Sequence, residues 1–225
     1  MECADICLKG VLEPGERKMN YIVLKKEFKE QIKGCLDRFS KTEENKEIYC
    51  IAFDCDSDSG SICLRYANKK SLEERRKDWE KYSYMYKPHG LQGLFGYKYS
   101  TGDFKFIEHD FTGNVKWFLD SYYYYRVGDY YGKDQPIKNM LWEQKYSEDE
   151  LKNVMLGIWE TMIIETIHEL KSEISMIDTT DDFLMYMCDH DISYEDLDMW
   201  VRKTNEGSLV DELKSKMYGI GELLD

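Results

Sequence analysis

Residues 47–67 read EIYCIAFDCDSDSGSICLRYA, and this stretch decides the fold class. Residues 47–54 form a short apolar run rich in β-forming side chains, as expected of a buried strand. Cys55 to Gly60 supply the Asp, Ser and Gly that turns use. Residues 61–67 then alternate apolar and polar as a second strand, so the pair is expected to close as an antiparallel hairpin.

Helices flank the hairpin. Before it, residues 19–39 carry Ile22, Val23, Phe28, Ile32, Cys35, Leu36 and Phe39 at three- and four-residue steps, the spacing of an amphipathic helix. After it, Ser71 with Glu74 three residues on reads as a capping box opening a helix over about 72–86. Further strands are expected near 94–99 and 104–107, and a helix over 114–125 with Asn114 as its cap. A Gly- and Pro-containing loop covers about 126–146. Ser147 and Glu150 open a long helix running to about residue 175, striped by Leu151, Val154, Met155, Ile158, Met162, Ile163, Ile167, Leu170 and Ile174. Short helices are expected at 179–188, 193–204 and about 207–217. The expected class is α+β: a small antiparallel sheet packed with helices, and a C-terminal half that is all helical. The 225 residues are read as a single domain, with an α+β part (about 1–125), the loop, and an acidic helical part (about 147–225).

The composition sets limits on function. The formal charge is −13 and the pI about 4.9. Such a surplus of acid argues against a nucleic-acid binder that neutralises phosphates with Lys and Arg. No run approaches the roughly 20 apolar residues of a membrane span, and residues 1–10 lack a signal-peptide core. A cytoplasmic protein is expected. Seven cysteines, an odd count, do not make a disulfide framework.

The charge is unevenly distributed along the chain. Residues 1–136 hold 23 basic and 23 acidic side chains, while residues 137–225 hold 8 basic and 21 acidic. Residues 172–201 carry nine acids and neither Lys nor Arg. Acids there interleave with Phe183, Met185, Tyr186, Met187, Tyr194, Met199 and Trp200, as in an interface with apolar anchors. The expected partner-binding residues are Asp181, Asp182, Asp189, Asp191, Glu195, Asp196 and Asp198, with Tyr186 and Trp200 as anchors.

Other motifs are incomplete. Asp54, Asp56 and Asp58 alternate like the start of a calcium loop, but Ser59 and Arg65 occupy the positions that need Gly and Glu. They are weak metal candidates beside the plainer reading as a solvated turn. Gly90, Gly93 and Gly96 fit neither a phosphate loop nor a dinucleotide fingerprint. Glu165-x-x-His168 is a single copy where a di-iron bundle needs two. In Glu108-His109-Asp110 and Asp189-His190-Asp191 the neighbours point apart. The Tyr122–Tyr125 run reads as a core edge, since four consecutive helical residues face all directions. No cofactor is expected.

YCIAFDCD (49–56), LRYAN (64–68) and GYKY (96–99) together resemble an uncharacterised bacterial family, the domain of unknown function 4303. The likeness spans about residues 20–125 and implies no activity. By analogy alone, small acidic α+β proteins occur among immunity proteins that block toxins. The expectation is a non-enzymatic, protein-binding chain, an immunity-type inhibitor of a basic protein. The alternative is a small enzyme or a ligand- or metal-binding domain using the Asp54–Asp58 turn or the 90–103 glycine loop.

Overall fold

The structure is a computed structural model. It describes residues 20–81, 111–127, 148–189 and 194–211, and, between 82 and 110, residues 99, 101, 104 and 106–108. The expected strand at 94–99 and the loop at 126–146 lie almost wholly outside the described residues, as do Cys3, Cys7, His109, His190 and Asp191.

Helix α1, Tyr21–Ser40, begins where the Asn20 side chain accepts hydrogen bonds from the amides of Ile22 and Val23. Leu24, Phe28, Ile32, Cys35, Leu36 and Phe39 form its buried stripe. Ile22 and Val23, expected in that stripe, are exposed instead. Two residues span about 200° of helix, so a stripe through Leu24 and Phe28 puts Ile22 on the solvent side.

Strands β1, Ile48–Asp56, and β2, Ser61–Asn68, pair antiparallel with Phe53 opposite Leu64 and Asp56 opposite Ser61. The hairpin is as expected. Its turn ends at Gly60, whose φ of 76° lies in the left-handed region that glycine tolerates. The Gly60 amide donates to Asp56 O, and its carbonyl accepts from Trp159 Nε1. A register shift between Ile48 and Cys50 lets adjacent Tyr49 and Cys50 join one core cluster.

Helix α2, Lys69–Lys81, starts earlier than expected. Asn68 is the cap: its Oδ1 accepts from the Ser71 amide, and Ser71 Oγ accepts from the Asn68 amide. A short strand β3, Phe106–Glu108, pairs with β2 antiparallel, Ile107 opposite Arg65. Helix α3, Gly113–Val127, is capped from another element. Glu27 of α1 accepts from the Asn114 amide and Nδ2, and Gln31 from the Thr112 amide. Helix α4 spans Glu148–Leu170 and α5 spans Tyr194–Thr204, followed by a helical turn over 207–211.

The C-terminal half is not all helical. Residues expected as a helix at 179–188 form strand β4, Thr179–Asp189. It pairs parallel with β1, Phe53 opposite Met187. The sheet order is β3-β2-β1-β4, so the sheet is mixed rather than wholly antiparallel. Leu184 to Cys188 are all buried. A strand covered on both faces shows a continuous apolar run without alternation, which periodicity does not separate from a buried helix. Thr179 and Thr180 before this run also suit a helix start. The α+β class holds, and β4 ties the C-terminal half into the N-terminal hairpin.

The two faces have separate cores. Ile51, Phe53, Ile62, Leu64, Tyr66, Met185 and Met187 pack against α1, α3 and α4, where Phe28, Phe118, Trp159, Ile163 and Ile167 are fully buried. On the other face Ala52, Ala67, Leu184, Tyr186 and Cys188 lie with Tyr99, Phe104, Val201 and Val210.

Candidate functional site

The acids of the C-terminal half were the first candidates, and the fold disperses them. Asp181 and Asp182 open β4 and Asp189 closes it. Eight residues of strand separate Asp181 from Asp189, roughly 26 Å at ~3.3 Å per residue. Asp181 is exposed. Asp182 Oδ1 accepts from Thr180 Oγ1 at 2.6 Å. Asp189 Oδ1 accepts from the Ser57 amide at 2.8 Å, fastening β4 to the hairpin turn. Asp178 Oδ2 accepts from the Glu47 amide. Glu195, Asp196 and Asp198 lie on α5; Asp191 lies outside the described residues.

The two aromatic anchors are interior residues. Tyr186 is wholly buried, its hydroxyl donating to Tyr99 O at 2.6 Å. Trp200 is 7% exposed, with Lys203 Nζ 3.7 Å from its ring centroid. An apolar side chain inside an acidic segment has to build the local core before it can face a partner. Among the described side chains of α5, Met199 and Lys203 are exposed.

Glu173 belongs to a ladder between α1 and the end of α4. Lys25 Nζ lies 2.8 Å from Glu165 and 3.0 Å from Glu169. Lys29 lies 2.9 Å from Glu169 and 2.7 Å from Glu173, and Lys33 2.9 Å from Glu173. Tyr21 donates to Glu165. The Lys29 hydrogen bond, with that of Lys25, lowers the pKa of Glu169; those of Lys29 and Lys33 lower that of Glu173. Lys25 and Lys29 are raised in return, chiefly by hydrogen bonds to Glu165 and Glu173 respectively. Glu165 thus faces Lys25, while His168 Nε2 sits 3.0 Å from Lys203 O, so this pair does not converge on an ion.

The three hairpin carboxylates also part. Asp56 accepts from the amides of Asp58 and Ser59 and from Ser59 Oγ, an Asx turn. Asp58 is exposed. Asp54 is 5% exposed and turns under the sheet. Among the described residues no group of three or more His, Cys, Asp or Glu is placed to hold a metal.

Asp54 instead anchors a small polar cluster. Across the sheet it stands between Cys63 of β2 and Cys188 of β4. Arg65 Nε lies 2.5 Å from Asp54 Oδ2, Thr101 Oγ1 donates to Oδ1 at 3.0 Å, and Cys188 Sγ lies 3.7 Å from Oδ1. The acidic turn, the glycine-rich loop and a cysteine therefore meet. Burial pushes the Cys188 and Cys55 thiols well up, and the half-buried Cys63 thiol up as well, against the pull of Arg65. Protonated thiols are poor nucleophiles. None of the five described cysteines is in a disulfide.

Sequence reasoning missed Arg65. The signal was present: a charged residue between Leu64 and Tyr66, and an Asp two residues from the end of the partner strand. With Asp56 paired to Ser61, these opposite charges fall on a diagonal of one face.

No family model, curated protein or solved structure matches the chain. Among the described residues no helix is long and apolar enough to cross a membrane.

Proposed function

We propose that the protein is a binding protein whose acidic C-terminal segment engages a basic protein, in the manner of an immunity-type inhibitor. The observation that supports this reading is Met199 of α5, 45% exposed in a helix whose sequence carries Glu195, Asp196 and Asp198. Exposed Met amid acid supplies an apolar contact within a field that attracts cations. Asp181 is a further exposed acid, at the start of β4. Complementary charge accelerates encounter and rejects like-charged partners, while buried apolar area supplies residence time.

The test uses the full chain as bait in low salt, against the proteins of its native host. Wild type should retain a basic protein that high salt releases, and its association rate, measured with the purified partner, should fall steeply as salt rises. Asp181→Lys combined with Glu195→Lys and Asp198→Lys should abolish retention. Asp182 and Asp189 are left in place because each holds local structure. Equal retention by wild type and variant would overturn the proposal.

A further inference from the structure

Arg65 lies mid-strand on β2, on the sheet face that carries Asp54, Tyr186 and Cys188. Its Nε approaches Asp54 Oδ2 at 2.5 Å, as an ion pair whose angle falls outside hydrogen-bond geometry. Asp54 is itself held from the other side by Thr101. The carboxylate therefore grips the guanidinium at its stem. An Arg–carboxylate pair gains most when two parallel N–H···O bonds use two of the guanidinium nitrogens. Here Nη1 and Nη2 make no hydrogen bond to any described residue, and 16% of the side chain reaches the surface.

The surroundings suit an incoming negative group. Asp54 and Arg65 cancel in charge, and the neighbouring Cys63, Cys188, Thr101, Tyr99 and Tyr186 are neutral side chains. Among the carboxylates of the hairpin turn, Asp56 is occupied by Ser59 and the amides of residues 58 and 59. Asp189 is occupied by the Ser57 amide. A planar fork, oriented by a buried partner and open at its far end, matches the two oxygens of a carboxylate or two of a phosphate.

We propose that Arg65 is the receptor for the oxyanion of a small-molecule ligand, a carboxylate or a phosphate, met end-on by Nη1 and Nη2, with Asp54 as the positioning residue. The site lies on the sheet, away from the outward side of α5, and its failure leaves the protein-binding proposal standing.

The test follows the Arg65 side-chain NMR resonances of the full chain during titration with inorganic phosphate and, separately, sodium acetate, at fixed ionic strength with chloride as the control. The expected result is a saturable shift of the Arg65 signals with at least one of the two anions and none with chloride. Phosphate alone assigns a phosphorylated ligand, acetate alone a carboxylate, and both the shared chemistry. Arg65→Lys keeps the charge without the fork and should weaken binding about tenfold, the ~1.4 kcal/mol that separates a forked from a point contact. Asp54→Asn should weaken it without abolishing it. A response to neither anion, or one spread over surface lysines with Arg65 unmoved, overturns the proposal. That readout is made on the wild-type chain and stands even if a variant fails to fold.

Discussion

Replacing Asp54 by Leu separates the structural weight of the Asp54–Arg65 pair from any role in recognition. Leu is close enough in size that no large cavity opens, so the loss is electrostatic. Asp54 is 5% exposed and the Arg65 side chain 16%, which leaves a guanidinium largely desolvated and without its partner. Breaking a buried pair from one side costs about 3–5 kcal/mol, and the partial exposure of Arg65 places this one near 3. Thr101 Oγ1 also loses its acceptor, which adds about 1 kcal/mol. The expected loss is about 4 kcal/mol, or roughly 8–16 °C in Tm for a chain of this size. Urea unfolding followed by circular dichroism measures it, with an unchanged slope certifying that stability alone has moved. The decisive comparison is the double variant Asp54→Leu with Arg65→Met. Substituting both charges by apolar groups of similar volume is often neutral or better, so the double variant should return to within about 1 kcal/mol of wild type, a coupling of about 3 kcal/mol. A single variant that loses under ~1 kcal/mol, or a double variant as unstable as the sum of the singles, would refute the reasoning.

Gly60→Ala should cost about 2–4 kcal/mol, read as a lowered urea midpoint. Its φ of 76° strains a Cβ, and that Cβ would sit 2.4 Å from Tyr122 Cδ1. The ring is hard to shift, because Tyr122 donates to Ser57 O at 2.6 Å and stacks on Trp159. In the α1–α4 ladder, carboxyl titrations should place Glu169 and Glu173 below the ordinary carboxylate value. A depressed folded pKa contributes stability at neutral pH that disappears as pH falls through the ordinary carboxylate range. Lys29→Met should return both titrations toward normal; unmoved titrations would show that the ladder is not populated in solution. Lys171, whose amine donates to Thr204 O and to Asn205 Oδ1, has its pKa lowered to about 8 by burial. The folded state then sheds this proton before the unfolded chain does, so stability should rise as pH climbs from about 8 toward 10.5. Lys171→Met should remove that rise in urea unfolding across the interval. A wild-type slope identical to that of the variant would show that the amine titrates normally.

Elements whose buried side follows a simple period were legible in the sequence. The hairpin at 48–68 and helix α1 fall within a few residues of expectation, because a turn of Asp, Ser and Gly or a stripe at helical spacing is a local signal. β4 was misread for a physical reason. A strand sandwiched between α4 on one side and Tyr99 and Val201 on the other needs no polar alternation, and Leu-Met-Tyr-Met-Cys suits a helix as well. Tyr186 was misplaced with it, since on a helix it could face outward; Trp200 lies on a helix as expected, but on its buried side. Glu27 and Gln31 as caps for α3 lie more than 80 residues away from it in sequence. No local pattern carries that information. The Asp54–Arg65 pair stood between these extremes, available once the hairpin register was fixed.

The charge imbalance along the chain does not become the same imbalance in space. Lys25, Lys29 and Lys33, which make the N-terminal part neutral, face Glu165, Glu169 and Glu173 of the acidic part. Both sets recur every fourth residue, so the lysines form one row on α1, Glu165 and Glu169 form one on α4 that Glu173 continues in the turn beyond it, and packing α1 against α4 zips the rows together. Much of the remaining acid is spent inside the fold, with Asp178 on a backbone amide, Asp182 on a hydroxyl and Asp189 on the hairpin turn. What a partner would meet is therefore a smaller surface than the sequence suggests; among the described residues it includes Asp181, Glu150 and Glu206, which are exposed. A field of that size decays within a Debye length of about 8 Å at physiological salt. It can orient a basic partner at contact range, and the depth of binding would then have to come from apolar contact such as that offered by Met199.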